Sequence, residues 1–339
     1  MSTVSPTTPA SDDARPYWTA LTEDFGAAWN RFWFTARDPA AVSGLRILVG
    51  ILLLYYLASH SADLVKWFGP NGLLPTSTVR QLTSPVMADG SVGETYLWSY
   101  LHWARTPGQL WGLHLAGLAV ALLFTLGVGT RIMNPLAALV ALSYIHRAPM
   151  INGPFESVLS MLLLYLCLAP SGAMWSVDAW RRRRANPEAE VGPSVMANIS
   201  LRLLQIHVAG FYLLMGLTQL AGAADAENSA TWWRGEALWW LIAKSESRVI
   251  DLTFLSTTAL GYIVNLWTHL ILFGELAFGI LIWKPMARPL LLVLATLAWL
   301  SLAPVSGLVS YSVAMMIANL AFLPESMWRR AAGRLGLPC

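Results

Sequence analysis

The chain has 339 residues, 56% of them hydrophobic and only 12% charged, with 17 tryptophans, a net charge of +3 and a mean hydropathy of +0.52. An ordinary soluble domain has about 45–50% apolar and about 25% charged residues. There is too little polar surface here to cover a soluble globule and far too much apolar sequence for a disordered chain; the composition is that of a polytopic membrane protein.

Two cysteines, Cys167 and Cys339, exclude a disulfide framework and any CxxC metal site. The usual signatures of soluble catalysis, a P-loop, HExxH or GxSxG, are missing from the sequence. The charges sit between apolar runs rather than in one basic face, so no nucleic-acid partner is expected.

In chain order, residues 1–15 are Ser/Thr/Pro-rich and are expected to be a disordered tail without the basic and apolar regions of a signal peptide. Residues 16–41 follow as an interfacial amphipathic helix, with Leu21, Phe25, Trp29, Phe32 and Trp33 at helical spacing. Eight segments then approach the ~20 apolar residues that a bilayer core requires: 42–60, 108–128, 132–148, 155–173, 199–221, 258–283, 288–304 and 306–324. Pro304-Val-Ser-Gly307 is expected to turn the last two into a hairpin. Residues 326–339 are expected to form a cytoplasmic tail.

Lys and Arg number fourteen on the side that holds both termini and seven on the other, with nine acids on each. That bias orients both termini toward the cytoplasm, and an even number of spans agrees with it. Two long non-cytoplasmic loops, about 61–107 and 222–257, carry Trp67-Phe68-Gly-Pro-Asn-Gly and the pairs Trp232-Trp233 and Trp239-Trp240. Such segments either roof a cavity between the helices or form a plain tryptophan belt at the interface.

Away from the first and last four residues of each expected span, two charged residues fall inside, Arg46 and Glu275. Measured from the cytoplasmic helix ends, Arg46, His207 and Glu275 lie within roughly 6 Å of one depth, which suggests an intramembrane polar cluster. Its readings are a structural ion pair, a proton relay or ligand site, or separate snorkelling side chains. In the outer half, Thr218 and Gln219 end the fifth segment, Asn265 and His269 share one helix face at i,i+4, and Asn152 precedes the fourth segment. His207, Phe211, Leu214 and Thr218 form a stripe that either lines a cavity or packs. Arg181 to Arg184 read as a topology anchor, with a headgroup- or nucleic-acid-binding face as the alternative. Ser176-Val-Asp178 before them reads as the N-cap of a short surface helix.

Trp175-Ser176-Val177-Asp178 followed by Arg181 to Arg184 resembles a stretch of the membrane domain of vitamin K-dependent gamma-carboxylases. In the same order, Arg46-Ile-Leu-Val-Gly50, Gly129-Thr-Arg131, Asn152, Trp232-Trp233-Arg234-Gly235, His269 and, one residue offset, Glu275 resemble further points of that family. The resemblance covers about residues 40–325 and extends to the horizontally transferred transmembrane (HTTM) domain proteins, which hold only this membrane part. It implies a cell-membrane helical bundle with a cavity for a lipophilic, quinone-like ligand held by Asn152, Thr218, Gln219, Asn265 and His269. For some relatives it implies instead a membrane partner in maturation or export of a secreted peptide; a non-catalytic scaffold is the third reading. The lysine that acts as base in the carboxylases is absent: the matching stretch is Gly216-Leu217-Thr218-Gln219-Leu220. An amide has no useful basicity, the family histidine after Asn152 is replaced by Gly153, and another falls near Trp299 to Ser301. Vitamin K-dependent carboxylation is therefore not expected.

Overall fold

The computed structural model describes residues 17–86, 93, 97–188, 190–221, 230–246, 248–256 and 260–336; the expected N-terminal tail and Cys339 lie outside them. The described residues are helical, joined by turns, with one isolated bridge in which Arg37 and Ser194 exchange backbone hydrogen bonds. The long helices are α1 (Tyr17–Phe34) and α2 (Ala40–Ser61), then after the short α3 (Leu64–Phe68) and α4 (Thr76–Thr83), α5 (Pro107–Leu126) and α6 (Thr130–Arg147). They continue as α7 (Pro154–Leu168), the short α8 (Val177–Ala185), α9 (Val195–Ala221), the loop helices α10 (Ala230–Trp233) and α11 (Ala237–Ala243), α12 (Gly261–Leu281), α13 (Arg288–Ser306), α14 (Val309–Asn319) and α15 (Glu325–Arg334).

Each of the eight expected spanning segments contains a helix, but among the described residues five helices, α2, α5, α9, α12 and α13, are long and apolar enough to cross a membrane. The other three fall short for visible reasons. α6 carries Arg131, Asn134, His146 and Arg147 along 18 residues. α7 has 15 residues and α14 has 11, which at 1.5 Å per residue is about 22 and about 16 Å against a hydrocarbon core of about 30 Å.

Local chemistry sets the helix ends. Thr106 accepts from the Gln109 amide at the start of α5, with Pro107 in the first turn where its missing N–H costs nothing. Ser176 caps α8 through the Ala179 amide at 2.9 Å, as its sequence position suggests. α13 runs on through Pro304 and stops at Gly307 in the left-handed region, so the α13–α14 hairpin turns three residues later than Pro304 alone implies.

α1 leaves Trp18, Phe25 and Trp29 exposed along one face, with the Phe25 and Trp29 rings stacked on each other. Its C-terminus is fixed to the start of α9, where the Asn198 amide donates to the Phe32 and Trp33 carbonyls at 2.8 Å each. The segment expected as a tail contains α15, which is docked on the bundle. Arg329 pairs with Asp38 at 2.5 Å, and Trp328 packs so close to Gly44 that a side chain there would overlap its ring.

Arg46 is fully buried in α2 and does not join His207 and Glu275. Its guanidinium donates to four backbone carbonyls: Ser171 (3.0 Å), Phe124 (2.8 Å), Thr125 (2.5 Å) and Trp175 (2.7 Å). The C-terminus of α5 has orphan carbonyls and the negative end of the helix dipole, so a cation is satisfied there without a carboxylate. Gly127, at φ +71°, closes that helix directly against the guanidinium. Asp178 holds the next helix start, accepting from the Gly129 and Thr130 amides at 2.8 Å and from the Thr130 hydroxyl at 3.0 Å. Burial alone would raise its carboxyl, but these hydrogen bonds and nearby Arg181 outweigh burial and hold it below its ordinary value.

The core falls into two clusters. The larger joins α2, α5, α6, α7, α9 and α14 with Phe278 of α12 and Leu291, Ala295 and Trp299 of α13; the smaller gathers Leu238, Ile242, Val264, Ile271 and Val305 of α11 to α13. A buried acceptor left without its donor costs about 1–3 kcal/mol, and Arg46 supplies the donors to four carbonyls. Arg46→Ala is therefore expected to lower the unfolding temperature in detergent and the membrane yield, with Arg46→Lys failing to restore them because one ammonium cannot reach four carbonyls. An Arg46→Ala protein as stable as the parent would contradict this role.

Candidate functional site

α9 and α12 touch through glycines. A side chain on Gly216 would overlap Leu276, and one on Gly279 would overlap Leu213 and the Ala209 carbonyl. This close antiparallel contact aligns the last turn of α9 with the last third of α12. It places the Gln219 side chain in hydrogen-bonding contact with the Glu275 carboxyl.

The expected cytoplasmic-half cluster is thus replaced by a different pair. Gln219, placed by sequence in the outer half, meets Glu275, placed by sequence in the other half. His207 instead shares a hydrogen bond with the Tyr165 hydroxyl at 2.9 Å and stacks on Phe211. Among the described residues no cation pairs with Glu275. One oxygen of each group, Glu275 Oε2 and Gln219 Oε1, is buried without a hydrogen-bond partner.

Both side chains face a cavity of about 630 Å³ between the two cores. Its walls are apolar and aromatic: Ile271, Trp299, Leu302 and Tyr311 from α12 to α14, with Trp232, Leu238, Trp240 and Leu241 from the loop helices. The Trp299 indole is fixed by donating to the Tyr212 hydroxyl at 2.6 Å, and the Asn319 amide donates to the same oxygen at 2.8 Å. A separate small cavity of about 30 Å³ lies between α12 and α13, sharing Ile271, Glu275, Trp299 and Leu302 with the lining of the first and bordered also by Gly274, Leu270 and Leu294. Leu270 and Leu294 are 61% and 43% exposed, so this small cavity lies near the outer surface of the bundle.

Of the two readings of the second aromatic loop, its residues cover the cavity. Asn265 and His269 hold that cover rather than line the cavity. The Asn265 amide donates to the Arg234 carbonyl at 2.6 Å, and His269 Nε2 lies 3.1 Å from the Trp233 carbonyl. Gly235, at φ +77°, lets the loop turn where any side chain would collide with the Asn265 amide. Trp67 and Phe68 of the first loop belong to the larger core, away from this lining.

Thr218 and Asn152 are not in the lining. Thr218 bonds back to the Met215 carbonyl, and Asn152 closes its own turn by donating to the Ile145 carbonyl. The stripe His207, Phe211, Leu214 and Thr218 faces largely outward, while α9 buries Leu204, Val208, Tyr212 and Gly216 instead.

Trp240 belongs to a tryptophan pair that the sequence offers as a cavity roof, and Trp299 lies only near a place where the resemblance expects a histidine; Tyr311 carries no sequence signal beyond being aromatic. A second polar group also escapes sequence reading. Ser61, His114 and Tyr144 form a hydrogen-bonded chain of 2.8 and 2.5 Å between α2, α5 and α6. Nearby, Arg147 is buried and donates to the Phe68 and Leu74 carbonyls. Half-buried His102 is pushed down to about 4 by burial, then by Arg147 and Arg80, so its ring is neutral near pH 7. These groups hold the first long loop onto the bundle.

Comparison with protein-family models, curated proteins and solved structures returns no match for this chain.

Gly235→Ala and Asn265→Leu should each loosen the cover. The expected result is at least tenfold faster amide exchange in peptides spanning 230–243, with α2 peptides unchanged. Unaltered exchange in 230–243 would show that the loop is held by something else.

Proposed function

We propose that this chain is a multi-pass protein of the cell membrane, with eight membrane-embedded helices and both termini cytoplasmic, that binds a lipophilic quinone-like ligand in the α9–α12–α14 cavity. In this reading it is a relative of the HTTM proteins and gamma-carboxylase membrane domains that does not carboxylate. The Lys/Arg bias supports the orientation. α6, α7 and α14 then accompany the five longer helices as short or tilted members of the bundle.

The observation that carries the ligand reading is the pairing of Gln219 with Glu275 at the wall of an aromatic cavity, each with an unpartnered oxygen. Buried polar atoms left without partners are costly, and a bound head group supplies those partners. Gln219 Oε1 accepts, whereas a carboxyl oxygen accepts when ionised and donates when protonated; a hydroxyl-bearing head group, which can do both, matches the pair. Trp232, Trp240, Trp299 and Tyr311 offer ring faces for a flat head group. The small neighbouring cavity by Leu270 and Leu294 marks the side of the bundle where an apolar tail would leave between α12 and α13.

These residues bind and orient; with Gln219 in the basic residue's place, no strong base stands beside the head group. Thr218 and Asn152 have no part in the contact. Asn265 and His269 act on it through the loop they hold.

The test is organic extraction of the detergent-purified protein and mass spectrometry for isoprenoid quinones, with an unrelated membrane protein from the same cells as control. Near-stoichiometric quinone is expected, falling at least tenfold in Gln219→Leu and Glu275→Leu proteins that elute and melt as folded bundles. Quinone at the control level in the parent would contradict the reading.

A further inference from the structure

Three arginines from separate elements converge where α1 meets the body of the bundle. Arg37 follows α1, Arg202 lies in the second turn of α9, and Arg288 begins α13. Arg37 and Arg288 are the like charges acting on Arg202, and the opposing charge is Glu325 of α15. Arg288 in turn is acted on by Arg37 and Glu325. The one carboxylate is engaged by Arg37 at 3.5 Å, so three guanidinium charges face a single acid.

Their donors are only partly used. Arg202 donates through Nη1 to Gln205 at 3.1 Å, and its buried Nε has no partner. Arg288 spends its Nε on the Ile282 carbonyl at 3.2 Å. The floor beneath is aromatic: the Arg202 guanidinium lies 4.3 Å over the Phe32 ring, and Phe32 contacts Trp283.

Like charges assembled on three rigid elements repel one another, an arrangement that gains stability when an anion joins it. A guanidinium fork matches the oxygens of a phosphate. The exposed Trp18, Phe25 and Trp29 of α1 fix what carries that phosphate, because a helix with that face rests at headgroup depth. We propose that Arg37, Arg202 and Arg288 form a binding site for the phosphate of an anionic phospholipid, held beside α1 at the membrane surface. The site rests on membrane placement of the chain and is independent of the cavity between α9 and α12.

The full-length protein, stripped of lipid by detergent exchange, would be titrated with phosphatidylglycerol, phosphatidylcholine and inorganic phosphate and read by native mass spectrometry and thermal unfolding. Phosphatidylglycerol should bind at least fivefold tighter than phosphatidylcholine. Arg288→Gln should weaken it about fivefold, the effect of one basic residue at a charged surface. Glu325→Gln should strengthen it, a gain that mere loss of the Arg37 ion pair would not produce. Arg202→Gln is a poorer probe because Arg202 packs on Phe32. Equal retention of the two lipids, an unchanged affinity in Arg288→Gln, or weaker binding in Glu325→Gln would overturn the proposal. Stabilisation by inorganic phosphate equal to that by phosphatidylglycerol would overturn the assignment to a lipid.

Discussion

A guanidinium buried among helices finds hydrogen-bond partners in backbone carbonyls, and helix C-termini are where such carbonyls are free. Arg46 finds them at the end of α5 and in the turn after α7. The consequence is geometric: α2, α5 and the 169–176 turn must converge on one point. Trp175 is held at φ +47° there, with its carbonyl turned toward the guanidinium. Asp178 then starts α8 and fixes the first amides of α6 from the same turn. The large core grows around this junction.

The second half of the bundle depends on a different constraint, the absence of side chains at Gly216 and Gly279. Close contact of α9 with α12 there brings the last described turn of α9 level with Glu275. The outer part of α12 meets α10, α11 and their tryptophans. The cavity lies between the two cores. An amide and a carboxyl meeting at its wall, without a cation, make a polar spot suited to an uncharged, hydroxyl-bearing head group rather than to an anion.

The five long helices are legible because apolar runs of membrane length stand out in composition, and the cap at Ser176 is a local signal. Depth is not. Counting residues from each helix end assumes that every helix crosses fully, and α9 does not keep step with α12; so Gln219 and Glu275 were separated on paper and Arg46, His207 and Glu275 joined. The partners of Arg46 were invisible because every residue has a carbonyl. Asn265 and His269 were found as one face of one helix, and their role in holding Trp233 and Arg234 depends on a loop more than thirty residues away. Trp240, Trp299 and Tyr311 converge only in three dimensions.

The most direct measurement of the central claim is photolabelling in native membranes with an azido-quinol, followed by peptide mapping. Binding in the cavity predicts label concentrated in peptides containing Trp232 to Trp240, Trp299 and Tyr311, suppressed by excess unlabelled quinol. Label spread over the lipid-facing Leu290, Val293 and Leu297 of α13, and not suppressed by competitor, would contradict it.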